Sequence, residues 1–237
     1  MDSDSAYDPL ARLGDEEDDQ ASLRLGFQEA LEDCDRALIQ AGELVAGAID
    51  PMTDAFLLGD AHTAAQLIAE DRKVDVACQQ LEERCFLLIA QQSPVAGDLR
   101  HLVAVLKCVQ DVYRSGDLLR HVGESLTWIH PPSLPEKLRE TVRQLGTVSH
   151  DLFTRGLASW TTRDALAANE LESDDDQVDL LQKVLLTDLY TGTQSVEESV
   201  SLALIARYYE RIADHGVEIA RQTAYVVTGQ RPPAGSG

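Results

Sequence analysis

The chain has 237 residues, of which 41 are acidic and 20 basic, for a formal charge of −21 and a pI near 4.5. So anionic a surface repels polyanions and argues against a general nucleic-acid binder, which needs clustered cations to displace counterions, and against a dedicated receptor for free anions unless local cations overturn the global field. Hydrophobic residues make up 44% and aromatics only 5%, so the core is aliphatic and alanine-rich, a composition that suits helix packing better than a β-sandwich.

Residues 1–20 carry Asp2, Asp4, Asp8, Asp15, Glu16, Glu17, Asp18 and Asp19 against a single base, Arg12, and read as a disordered acidic tail. With neither a basic n-region nor an apolar h-region, this start does not resemble a secretory signal. The longest strictly apolar run in mid-chain, Cys85–Ala90, falls far short of the ~20 residues that cross a bilayer, so no membrane insertion is expected. Cys34, Cys78, Cys85 and Cys108 form no C-x-x-C pair and sit in apolar-periodic stretches. They are expected as buried reduced thiols, with a soft-metal or redox site as the alternative. A cytoplasmic location is expected from these features together.

The periodicity is helical from residue 21 onward. Leu23, Phe27, Leu31, Cys34, Leu38, Ala41, Val45 and Ala48 form one stripe, which Pro51 is expected to kink or end. Gly59-Asp60 reads as a turn with Asp60 as N-cap of a second helix over about 61–91. Ser93-Pro94 predicts the N-cap and first position of a third helix, with Asp98 near its positive end, running to about Ile129. The segment 131–135 is the interior linker. Ser133 and Glu136 have the spacing of a capping box that would start a fourth helix. Asp164 is placed to cap a fifth. Ser195 and Glu198 predict the start of a sixth, with Val196, Val200, Ala203, Ala206, Ile212, Ile219 and Val226 on its apolar side. Residues 230–237 read as a flexible tail. Six long helices and no sustained period-two alternation predict an all-α, elongated bundle protein.

The two halves, 21–130 and 136–229, resemble one another. DRKVD at 71–75 matches DDQVD at 175–179, and YRSGD at 113–117 matches ERIAD at 210–214, the latter at an offset of 97 residues (210 − 113). Such self-similarity marks a duplicated unit. Within it, Asp71 with Asp75, Asp175 with Asp179, and Glu210 with Asp214 are acid pairs four residues apart, each on one helix face, where like charges repel. An oxygen-preferring cation bridging two helices would relieve that repulsion. The alternatives are a solvated acidic face, or neutralisation by Arg114 and Arg211, which occupy equivalent places in the two halves. His215, beside Asp214, is a lone helical histidine. No Glu-x-x-His, P-loop, G-x-S-x-G or H-E-x-x-H sequence occurs, and no nucleophile–base pair is apparent, so catalysis has little support. Tyr208, Tyr209 and Tyr225 are expected to pack on the bundle or on a second subunit.

ARYYERIADHGVEIA at 206–220 and LEERCFLLIAQQSPVAGDLR at 81–100, with DRKVD and DDQVD, resemble the signatures of the PhoU family over about 23–229. The resemblance implies two tandem antiparallel three-helix bundles related by a pseudo-twofold axis. It implies a non-enzymatic regulator of phosphate homeostasis. Such a protein couples the ATPase subunit of a phosphate ABC transporter to a membrane sensor histidine kinase, and represses the starvation response when phosphate is abundant. It also implies metal clusters, of Fe, Mn, Zn, Mg or Ca, on Glu/Asp-x-x-x-Asp motifs. Carried onto this chain, these are Asp175, Asp179, Glu210 and Asp214 in the second repeat, and Asp71, Asp75 and Asp117 in the first. There Tyr113 replaces the family's acid, and Asp111 is nearby, so the second site is expected to be the stronger. A C2 homodimer is expected from the family and from the small alanine-rich helix faces. A carboxylate-metal hydrolase and a metal-free helical scaffold are the competing readings.

Overall fold

The computed structural model describes the backbone of residues 9–230 and the side chains from residue 24 onward. Six helices follow in order: α1 (Pro9–Leu58), α2 (Ala61–Gln92), α3 (Ala96–Glu124), α4 (Glu136–Thr162), α5 (Ala167–Thr191) and α6 (Val196–Thr228), with two 3₁₀ turns, Ser125–Thr127 and Pro131–Ser133, between α3 and α4. No strand occurs among the described residues. The acidic stretch expected as a tail is helical from Pro9 onward: proline suits a first helical position, and the residues after it contain no strong breaker. Residues 1–8 and the tail at 231–237 lie outside the described residues.

Helix α1 does not stop at Pro51 but runs to Leu58, ending at Gly59 in the left-handed conformation (φ 68°). Asp60 then caps α2, accepting from the amides of His62 (3.1 Å) and Thr63 (3.0 Å). Ser93 proves to be the C-cap of α2 (φ 44°), and Val95 stands at the N-cap of α3. The capping box at Ser133 and Glu136 does not form. Pro135 forces Leu134 into extended backbone (ψ 151°), so Leu134 cannot be the first helical residue that the box requires; α4 begins at Glu136, and the Ser133 hydroxyl donates to the His130 carbonyl instead. Asp164 holds a turn through the Leu166 amide before α5 begins. The Ser195–Glu198 box forms with both of its bonds.

α1, α2 and α3 pack as one three-helix bundle and α4, α5 and α6 as another, and the two are joined through α3 against α6 and α1 against α4. One continuous hydrophobic core runs through both. α4 and α6 approach backbone to backbone at Gly156 and Gly216, where a Cβ on Gly216 would lie 2.6 Å from the Phe153 Cα. Tyr209 is buried in the core and its hydroxyl meets that of Thr53 on α1 at 2.7 Å. The α6 stripe agrees with the one expected at Ala206, Ile212 and Ile219, which are buried together with Leu202, Ile205 and Tyr209, and departs from it at the start of the helix, where Val196 (80% exposed) and Val200 (53%) lie on the opposite side with Leu204. Both series have helical spacing, and only the neighbouring helices decide which one faces inward.

All four cysteines are buried and free, with Cys34 and Cys85 hydrogen-bonded to each other across α1 and α2. The bundles are further pinned by Asp35 of α1, which accepts from His101 Nε2 (2.7 Å) of α3, from Trp160 Nε1 (2.9 Å) of α4 and from Arg163. Those donors hold its carboxyl below the usual range against the opposing effect of burial.

Candidate functional site

α5 is anchored by Leu171, Val178 and Leu185, spaced seven residues apart and buried. Asp175 and Asp179 therefore flank the buried edge and face α6, where Glu210 and Asp214 follow the core residues Tyr209 and Ala213. The four acids expected as the second-repeat cluster are thus brought together. Burial raises Asp175 to about 6, with Asp214 and Asp179 adding repulsion. Burial, then Asp214, raises Glu210 to about 7 although Arg207 pulls the other way. Asp214 is raised too, desolvation in the groove outweighing Arg207, His215 and Arg211. Glu210 is only 7% exposed. Its Oε2 and the Oδ1 of Asp175 are buried without a hydrogen-bond partner. At the rim, Arg207 pairs with Glu210, and Lys183 reaches Asp179 at 3.5 Å.

In the first repeat, Asp71 and Asp75 of α2 face Asp117 of α3, also as expected, but a guanidinium stands among them. Arg120 places Nη2 2.9 Å from Asp117, Nη1 2.8 Å from Glu124 and Nε 3.6 Å from Asp71. Asp71 is still raised to about 6 by burial and by Asp75, with Arg120 opposing. Gly116 lets it sit against α3, since a Cβ there would meet its Oδ1 at 2.7 Å. Asp75 is exposed, and Tyr113 packs against the core. At the same offset of 97 residues (217 − 120), Arg120 corresponds to Val217, which is 3% exposed and part of the core.

Arg120 and Arg207 were not singled out by the sequence reading. Each stands three residues from an acid on its own helix (Asp117 and Glu210), and that spacing was the available signal. Arg114 and Arg211 neutralise little: Arg114 reaches Asp117 at 3.6 Å, and Arg211 makes no ion pair among the described residues. His215 turns away from the acids of its own repeat to Asp111 of α3, Nδ1 to Oδ1 2.9 Å, in the interface between the bundles.

Among the described residues, no three His, Cys, Asp or Glu side chains stand ready to enclose a metal ion. The chemistry of the donors nevertheless differs between the repeats. The second offers buried carboxylate oxygens with free lone pairs, which suit a hard cation. In the first, the Arg120 guanidinium already fills that role.

A PhoU domain model matches residues 38–126 and again 142–223, once for each repeat. The chain belongs to the PhoU family. The phosphate-specific transport system accessory protein PhoU homolog 2 of Mycobacterium tuberculosis is 32% identical over 213 residues, covering 89% of this chain and 100% of that protein. The PhoU homolog of Deinococcus radiodurans is 32% identical over 216 residues, covering 86% and 100%. The crystal structure of PhoU from Pseudomonas aeruginosa superposes with a TM-score of 0.80 at 25% identity, over 86% of this chain and 100% of that one. The PhoU structure from Streptococcus pneumoniae gives 0.79 at 22%, over 87% and 99%, and supports the fold. The two-bundle PhoU architecture expected from the sequence is the one found.

Proposed function

We propose that this protein is a regulator of phosphate homeostasis, acting as a binding protein rather than a catalyst. The observation that carries the reading is the PhoU match in both repeats, along with full-length relatives whose names make them accessory proteins of phosphate-specific transport. No helix among the described residues is long and apolar enough to cross a membrane. The protein would then work at the membrane surface from the cytoplasm, through partners. Those partners are the ATPase subunit of the transporter and a sensor histidine kinase. Tighter binding to one of their conformations would repress the starvation response, since only differential affinity shifts an equilibrium. A homodimer is part of this proposal.

Asp175, Asp179, Glu210 and Asp214 would hold a divalent or trivalent cation. Support comes from the buried unpaired oxygens of Asp175 and Glu210, and from three carboxyls raised by crowding and burial. The cation would neutralise four converging carboxylates and so fix α5 against α6. Deleting the gene and measuring phosphate-uptake gene expression in phosphate-rich medium tests the regulatory role. Expression should stay switched on. Unchanged repression would overturn it.

A further inference from the structure

We propose that the groove between α3 and α6, where the axis relating the repeats passes, binds a phosphoryl oxyanion through Arg114 and Arg211. These arginines are equivalent under the repeat, 97 residues apart (211 − 114). Equivalent residues of two repeats share a site only close to the axis between them. Both line one groove of about 370 Å³, with Asp117, Leu118, His121 and His215. One guanidinium comes from each helix.

In so acidic a chain, an arginine without a close carboxylate stands out. Arg211 makes no ion pair or hydrogen bond among the described residues, although its charge acts on Asp214, three residues further along the same helix. Arg114 touches Asp117 at 3.6 Å, a carboxylate that Arg120 already holds at 2.9 Å. The forked donors of both side chains are therefore available. His215 adds a ring fixed by Asp111 at 2.9 Å, with a buried Nε2 that has no partner. His121 is tied to Glu124 at 3.0 Å and forms the other side. The net charge of the chain does not forbid an anion here, because charges beyond about 8 Å are largely screened at physiological ionic strength. Guanidinium forks match planar or tetrahedral oxyanions bidentately. Two forks from opposite helices engage more oxygens than one carboxylate offers, which selects a phosphoryl group, free or carried on a nucleotide. The proposal stands independently of the regulatory role above.

The test is calorimetric titration of the full chain in EDTA with inorganic phosphate and, separately, with ATP. Saturable binding of either supports the site. Phosphate alone identifies the free ion, and tighter ATP binding identifies a nucleotide phosphoryl group. Arg114→Ala and Arg211→Ala should each weaken binding about tenfold or more, and together abolish it. Arg72→Ala, on α2 outside the groove, should change nothing. Helix content by circular dichroism confirms that each variant folds. No saturable binding of either ligand at millimolar concentration would overturn the proposal. So would binding that survives the double arginine substitution, or binding that Arg72→Ala abolishes.

Discussion

In the first repeat, Arg120 stands among Asp71, Asp117 and Glu124. In the second, Val217 occupies the corresponding position, inside the core, and Asp175, Asp179, Glu210 and Asp214 face one another with a guanidinium only at the rim. The same helix pair, with nearly the same acids, thus carries its countercharge among the acids in one half and only at their edge, from Arg207, Lys183 and Arg221, in the other. The contrast shows that a duplicated acidic motif does not duplicate its neutralisation, because the residue one turn further along, arginine or valine, decides whether a guanidinium stands among the carboxylates.

The largest effect should follow removal of the internal cation. Arg120→Ala leaves partly buried carboxylates unpaired and is expected to cost about 2–3 kcal/mol in denaturant unfolding. A loss no greater than that of an ordinary exposed ion pair would erase the contrast between the repeats. Of similar size, about 2.7 kcal/mol at a hundredfold excess over Kd, is the stabilisation expected from Mn²⁺ or Fe²⁺ in thermal unfolding. Asp179→Ala with Asp214→Ala should abolish that increment, and Asp71→Asn should leave it intact. Equal sensitivity to both sets of substitutions would mean that both repeats bind metal.

A smaller signature lies in the pH dependence of the metal-free protein. Asp175 (about 6) and Glu210 (about 7) have folded pKa values raised above the unfolded ones, so the native state binds more protons between about pH 4 and 7. Stability should therefore fall as pH rises through that window, by of order 2 kcal/mol after allowance for solvent screening. Asp71, raised to about 6, adds a term of the same sign from the first repeat. Asp175→Asn with Glu210→Gln should flatten most of the slope, and a slope that persists in this variant would place its origin elsewhere. Asp35 acts oppositely: its lowered pKa contributes stability above the ordinary carboxylate range, and that contribution is lost as pH falls through the folded value. The smallest effect is expected at Arg207, an exposed partner of Glu210. Arg207→Ala should cost under about 1 kcal/mol of stability, and should tighten metal binding by removing a competing charge.

Local chemistry was legible in the sequence where it was self-contained. Asp60 and the Ser195–Glu198 box cap their helices as their spacing requires, because capping involves only neighbouring backbone. Ser93 and Ser133 misled because a following proline redirected the chain. Val196 and Val200 misled because a helix with two apolar sides does not reveal which one its neighbours cover. The acids of both clusters were legible from the i, i+4 pattern and the repeat. That Arg120 reaches across to Asp71, and His215 to Asp111, depends on how α2, α3 and α6 are set side by side, which no single helix records.

The continuous core joining α3 to α6 and α1 to α4 has an evolutionary consequence. In a symmetric dimer of separate subunits, every substitution appears twice, so a guanidinium useful on one side would be imposed on the other. Here the twofold partner is attached within the same chain, and each half is free to change alone. The packing between the halves holds the two bundles together while allowing one copy to keep an arginine where the other has a valine.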